Sequence, residues 1–126
     1  MAVLLLPVDD GLLVVRRDID PGRGLLALPG GFIEFGESWQ HAAARECAEE
    51  AGVSVDPASV TLFDTVSAPD GTLLVFGVAP PATDLPESVA TEESTGWEVL
   101  RGPAELAFPL HTAAVARYFD STKVDA

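Results

Sequence analysis

Residues 29–53 restrict the fold of this chain more tightly than any other stretch. Pro29-Gly30-Gly31 opens the segment and Gly52 closes it, with no proline or glycine between Ser38 and Gly52. Adjacent glycines permit positive φ and close backbone approach. Ser38 is suited to an N-cap and Gly52 to the left-handed position past a helix end, so a helix is expected over 39–51. His41 stands where a capping-box glutamate would be, so the reciprocal half of that motif is missing. At 100° per residue, Glu46, Glu49 and Glu50 fall within an arc of roughly 100°, with Arg45 beside it. The opposite arc holds Ala43, Ala44, Cys47, Ala48 and Ala51. Small side chains there would let the helix backbone lie close against a sheet. A hard divalent cation prefers carboxylate and carbonyl oxygens, which makes the acidic arc a candidate metal site. The plainer alternative is a solvated acidic face, the usual fate of a charge run. That alternative carries a cost, because three acids beside one cation repel one another.

The rest of the chain reads as strands and one further helix. Residues 2–8 and 12–17 are apolar, strand-like runs around the hairpin signal Asp9-Asp10-Gly11. Short strands are expected at 25–28 and 32–33, either side of the glycine turn. Residues 60–67 and 72–78 predict a second hairpin around Pro69-Asp70-Gly71. The stretch 79–96 reads as an irregular loop. A short strand over 97–100, a helical turn over 103–106 and a terminal helix over 112–123 complete the order. Val115, Tyr118 and Phe119 are the expected apolar face of that last helix. Strands, helix, strands, helix imply an α/β fold with a mixed β-sheet. No linker or repeat divides the chain, so residues 1–126 are expected to form a single domain. The chain begins almost directly at its first strand, which is expected to leave out an extra N-terminal domain.

Charge limits the partners. The formal net charge is −13, which argues against nucleic acid or an anionic membrane as a binding surface. A phosphorylated small molecule stays open, because bound cations reverse the local sign. Only seven cationic side chains occur in the sequence. Arg16, Arg17 and Arg23 lie just before the glycine turn. Arg16 and Arg17 should point to opposite faces of a strand, and Arg17 or Arg23 is the candidate contact for a substrate phosphate. The one cysteine, Cys47, excludes an intrachain disulfide. It is expected to pack as a small apolar residue. His41 and His111 are too isolated for a zinc site or triad and read as surface or helix-end residues. The apolar start is too short for a membrane span and lacks the features of a signal peptide, so a cytoplasmic protein is expected.

Taken together, residues 31–53 spell G-x5-E-x7-R-E-C-x-E-E-x-G-V. This resembles the Nudix box, with Cys47 replacing the usual aliphatic residue. Gly31, Glu37, Arg45, Glu46, Glu49, Glu50 and Gly52 match its fixed positions. The resemblance implies an α/β/α sandwich. It implies a hydrolase that cleaves the pyrophosphate linkage of a nucleoside diphosphate joined to another group. Glu46, Glu49 and Glu50 would be catalytic and, with the Gly30 carbonyl, would ligate Mg²⁺, with Mn²⁺ as the alternative ion. Glu37 and Arg45 would pin the loop to the helix. Glu46 is the first candidate for general base, and Glu92 or Glu93 in the later loop is the other candidate base or ligand. An ADP-ribose-like or dinucleotide-like substrate is the first expectation. The downstream proline- and aromatic-rich signature of NADH preference is missing. Family members are often homodimers, an assembly the resemblance leaves open here. The competing reading is a catalytically silent nucleotide-binding or sensor module. Sensors of this kind commonly lose box glutamates, and all remain here. A purely structural acidic domain is the third reading.

Overall fold

A computed structural model describes residues 1–122, so the last residues, including the expected helix end at Lys123, lie outside the described residues. The elements run β1 (Ala2–Leu5), β2 (Pro7–Val8), β3 (Gly11–Arg17), β4 (Leu26–Ala27), β5 (Gly30–Gly31) and α1 (Trp39–Ala51). A single 3-10 turn (Pro57–Ser59) then leads to β6 (Thr61–Ser67), β7 (Leu73–Val78), β8 (Ser94–Leu100) and α2 (Pro109–Ser121). The fold is mixed α/β.

The expected strand over 2–8 is divided between two sheets. Its first half, β1, lies in the order β5-β1-β7-β6, parallel to β7 and antiparallel to β5. Its second half, β2, pairs antiparallel with β3, and β3 also pairs with β4 and β8. The chain changes sheets at Leu6, whose carbonyl accepts from Leu13 N at 2.9 Å.

Both faces of these strands are covered, so their sequences are continuously apolar rather than alternating. Alternation reappears in which helix each side chain meets. Ala2, Leu4, Leu13 and Val15 pack with Ala42, Ala43, Cys47 and Ala51 of α1. Val3, Leu5, Leu12 and Val14 pack with Ala114, Val115 and Phe119 of α2. Cys47 is fully buried in the first of these layers, and burial pushes its thiol up to about 12. It is a packing residue, as expected.

Five expectations change. Phe32 and Ile33 form no strand and are exposed, while Gly30–Gly31 themselves make the short strand β5. A side chain at Gly30 would meet Ala2 O at 2.7 Å. Neither glycine has positive φ, and at Gly30 close backbone approach is what requires one. Residues 103–106 form no helical turn, and α2 starts earlier than expected, at Pro109. Pro fits that first position because its missing N–H would have no partner there. The eighth strand extends back to Ser94. Within α1, Ala48 is exposed and Ala42 is buried, so the small-residue stripe runs 42, 43, 44, 47, 51.

Candidate metal and phosphate site

The helix ends match their sequence signals. Ser38 Oγ accepts from His41 N at 3.1 Å. Gly52 adopts φ 71° and its N–H donates to Ala48 O. His41, in the place of a capping-box glutamate, instead contacts Glu37 Oε2 through Nδ1 at 2.8 Å.

Arg45 organises the loop between β5 and α1. Its Nη2 donates to Glu37 Oε1 at 2.7 Å and its Nε to Glu37 Oε2 at 3.1 Å. Nη2 also donates to the Phe32 carbonyl at 3.0 Å. Glu37 Oε1 accepts from Glu34 N at 2.9 Å. A planar guanidinium can hold a carboxylate at two points, which a lysine cannot. Arg45 holds the Glu37 carboxyl down to about 2, with the Glu34 amide and His41 helping. Thus Glu37 and Arg45 are joined, and the loop is tied to the helix through them.

The same guanidinium reaches the acidic face. Its Nη1 donates to Glu46 Oε1 at 2.9 Å and lies 3.4 Å from Glu49 Oε2. Glu49 stays exposed. Glu50 behaves differently: it is only 8 % exposed. Its Oε2 accepts from Gly30 N at 3.4 Å. Burial first, and then the charge of Glu46, hold the Glu50 carboxyl well above the usual carboxylate range. Burial raises Glu46 as well, and Arg45 partly offsets this. A side chain at Gly31 would run into the Glu46 carboxylate. The glycine strand therefore lies directly against the acidic helix.

Glu46 and Glu50 thus form a charge-repelling carboxyl pair, with the Glu93 charge also felt at Glu50. Two hard-oxygen donors that repel each other under partial burial fit a divalent cation, whose charge reverses the local sign. Among the described residues no three acidic, histidine or cysteine side chains already close around one point. Glu49 points to Arg45, so it would have to turn inward to join the pair. Glu92 is exposed.

The candidate phosphate arginines are engaged locally. Arg17 Nε donates to Pro21 O at 2.6 Å, and its guanidinium lies 4.9 Å from the centre of the Phe108 ring. Arg23 pairs with Asp18 at 3.2 Å. Arg16 pairs with Glu98 across β3 and β8 at 2.8 Å. An open groove of about 400 Å³ lies past the end of α1, between 52–56 and 79–86. None of the acidic-site residues lines it.

Two residues carry more than their sequence context suggested. His111 is buried rather than at the surface, and its Nδ1 accepts from Leu28 N at 3.2 Å. It thereby ties α2 to the residue before Pro29. Burial, with Arg17 nearby, pushes its imidazole down to about 4. Ser94 is buried and donates to Glu50 O at 2.7 Å. The sequence carries no local signal for either role, since both partners are distant backbone groups.

A glycine strand laid against a buried pair of carboxylates defines a class of site suited to metal-assisted phosphate chemistry. The NUDIX domain family model matches residues 1–121, and the chain belongs to that family. It is similar to an ADP-ribose pyrophosphatase of Methanocaldococcus jannaschii, 40% identical over 62 residues, covering 49% of this chain and 36% of that protein. The chain thus matches about a third of that relative's length. Among solved structures it resembles a NUDIX hydrolase from Nitrosomonas europaea, with TM-score 0.79, 24% identity, and 97% of this chain and 70% of that chain covered. It also resembles a bifunctional NMN adenylyltransferase/ADP-ribose pyrophosphatase from Francisella tularensis, solved with AMP and manganese. There the TM-score is 0.66 and the identity 28%, covering 78% of this chain and 32% of that one.

Proposed function

We propose that this protein is a metal-dependent pyrophosphohydrolase that splits the diphosphate linkage of a nucleoside diphosphate joined to another group, with ADP-ribose as the first substrate to test. The observation that carries this reading is the Glu46–Glu50 pair, pressed together against Gly30–Gly31 with both carboxyls raised by burial. The similarity to an ADP-ribose pyrophosphatase supports the substrate choice.

Glu46 and Glu50, with Glu49 turned inward and the Gly30 carbonyl, would hold Mg²⁺ or Mn²⁺. When bound, the ion supplies charge neutralisation at the diphosphate and lowers the pKa of a water. The chain's own residues supply position. Arg45 holds the loop through Glu37 and the Phe32 carbonyl, which keeps Gly31 against Glu46. Glu46, half-buried, would accept the proton of the attacking water, with Glu93 as the alternative acceptor from the later loop. Catalysis here is chiefly orientation and charge stabilisation, as in other phosphoryl transfers. Arg17 and Arg23 would have to leave their local partners to reach a substrate phosphate. No helix among the described residues is long and apolar enough to cross a membrane.

The test is phosphate-ester release from a panel of nucleoside diphosphate derivatives with Mg²⁺, for the wild type and for Glu49→Gln plus Glu50→Gln. Turnover of one class that vanishes in the double variant supports the reading. Binding of ADP-ribose with no turnover in the wild type would replace it with a nucleotide sensor.

A further inference from the structure

The turn before β8 is tied to the acidic helix by one buried hydroxyl. Glu50 is the penultimate residue of α1, so its carbonyl has no partner within the helix. Ser94, 1 % exposed, donates its Oγ proton to that carbonyl at 2.7 Å. A hydroxyl has one proton and a carbonyl only accepts, so every other bond at Ser94 Oγ must be an accepted one. Gly96 N donates to it at 3.3 Å. Thr91 Oγ1, 3.2 Å away, must therefore be the donor of that pair. Thr91 Oγ1 in turn accepts from Glu93 N at 3.3 Å and Ser94 N at 3.2 Å. Thr91 N closes the turn on Ser94 O at 2.8 Å. On its other side the turn is anchored by Asp18 N, which donates to Glu93 O at 2.9 Å.

Residues 91–94 are thus a closed unit, docked on the last turn of the helix that carries Glu46 and Glu50. The unit also carries Glu93, adjacent to Ser94, with its backbone held by Thr91 Oγ1 through its N–H and by Asp18 N through its carbonyl. We propose that Ser94 is a positioning residue of the acidic site. Its hydroxyl locks the 91–94 turn to the Glu50 carbonyl and so sets the spacing between Glu93 and the Glu46–Glu50 pair. That spacing governs how tightly the site holds a divalent cation. The inference rests on reading this site as a metal site, and it does not require turnover. Groups that orient metal ligands without touching the metal commonly change affinity 10- to 100-fold when removed.

The experiment titrates the full chain with Mn²⁺ alone, following free Mn²⁺ by electron paramagnetic resonance, with a thermal melt of each variant. Ser94→Ala is expected to weaken Mn²⁺ binding about tenfold or more. Glu93→Gln is expected to weaken it too, and the double variant should be no worse than the weaker single one. Thr91→Val leaves the Ser94–Glu50 and Thr91 N–Ser94 O bonds in place but removes the oxygen that accepts from Glu93 N and Ser94 N. Glu93 should then be held less firmly and Mn²⁺ binding weakened, with a smaller loss of melting temperature. That variant keeps the test open where Ser94→Ala fails to fold. Unchanged Mn²⁺ affinity in Ser94→Ala or Thr91→Val, or additive losses in the double variant, would overturn the positioning role while leaving the metal site intact. Absence of Mn²⁺ binding by the wild type would overturn both. Wild-type Mn²⁺ binding without hydrolysis of any substrate would remove only the hydrolase reading, and the variants would still decide the role of Ser94.

Discussion

Helices α1 and α2 have thirteen residues each and cover opposite faces of the same two strands, yet they are built on opposite plans. The first meets the strands with Ala42, Ala43, Cys47 and Ala51. A side chain at Gly31, where β5 passes the helix, would meet the Glu46 carboxylate. Little apolar area is buried per residue, and the helix brings a carboxyl, Glu50, into a nearly dry environment. The second meets the strands with Val115 and Phe119, and Tyr118 packs at the edge. Its one buried titratable group, His111, is held neutral and bonded to backbone. The difference teaches that a site for charge is made where packing residues are small, and that the fold's cohesion is supplied on the far side. Function and stability should therefore separate between the two helices under mutation.

That separation is easiest to break at its two extremes. Glu50→Gln on α1 should lower metal-dependent turnover by about 10³-fold, the scale for losing one group that stabilises transition-state charge. It should leave the metal-free melting temperature equal or higher, because it removes a buried, repelled carboxyl. Turnover retained with Mg²⁺ would place the chemistry elsewhere. Phe119→Ala on α2 should do the reverse. It should cost about 3–5 kcal/mol in urea unfolding, the range for truncating a buried aromatic, while activity per folded molecule stays the same. A large loss of specific activity in the folded fraction would mean that the two faces are coupled.

The coupling can be tested through pH. His111 has its imidazole lowered from 6.5 to about 4 in the folded chain. Between those values the unfolded chain binds the extra proton, so stability rises with pH and is lost as pH falls through this window. From pH 7 to pH 5 the expected loss is about 2 kcal/mol by the linkage relation. Urea melts at the two pH values, repeated with His111→Gln, isolate it from the carboxylates. The variant should lose that part of the pH dependence. An equal dependence in both proteins would show that His111 is not held neutral. The smallest effect is at Cys47. With its thiol raised to about 12 and its side chain buried, it should resist a thiol reagent in the native state and react on unfolding. Rapid native labelling would show that the α1 packing layer opens.

Much of this molecule can be read along the chain. The α1 boundaries follow from Ser38 and Gly52, because capping is a local hydrogen-bonding problem solved within a turn. The pairing of Glu37 with Arg45 was expected from the motif, and the arginine fork shows why it holds. The hairpins at 9–11 and 69–71 were legible from their turn residues. The division of 2–8 between two sheets was not. An unbroken apolar run buried on both faces has no period from which to read the change at Leu6. The exposed Phe32 and Ile33 were mistaken for a strand because their composition suits one, whereas the glycines beside them pair with β1 for lack of side chains. The buried roles of His111 and Ser94 were not legible, for a common reason. Each is defined by a backbone group far along the chain, Leu28 N and Glu50 O.

By itself, then, the sequence determined the acidic helix, its caps, the glycines beside it and the family to which the chain belongs, since these depend on spacing within a few turns. Tertiary structure alone decided which glutamate is buried, which arginines are spent on local partners, and which hydroxyl closes the end of the helix. Burial and hydrogen-bond partners are properties of surfaces brought together from distant segments, and no local periodicity encodes them.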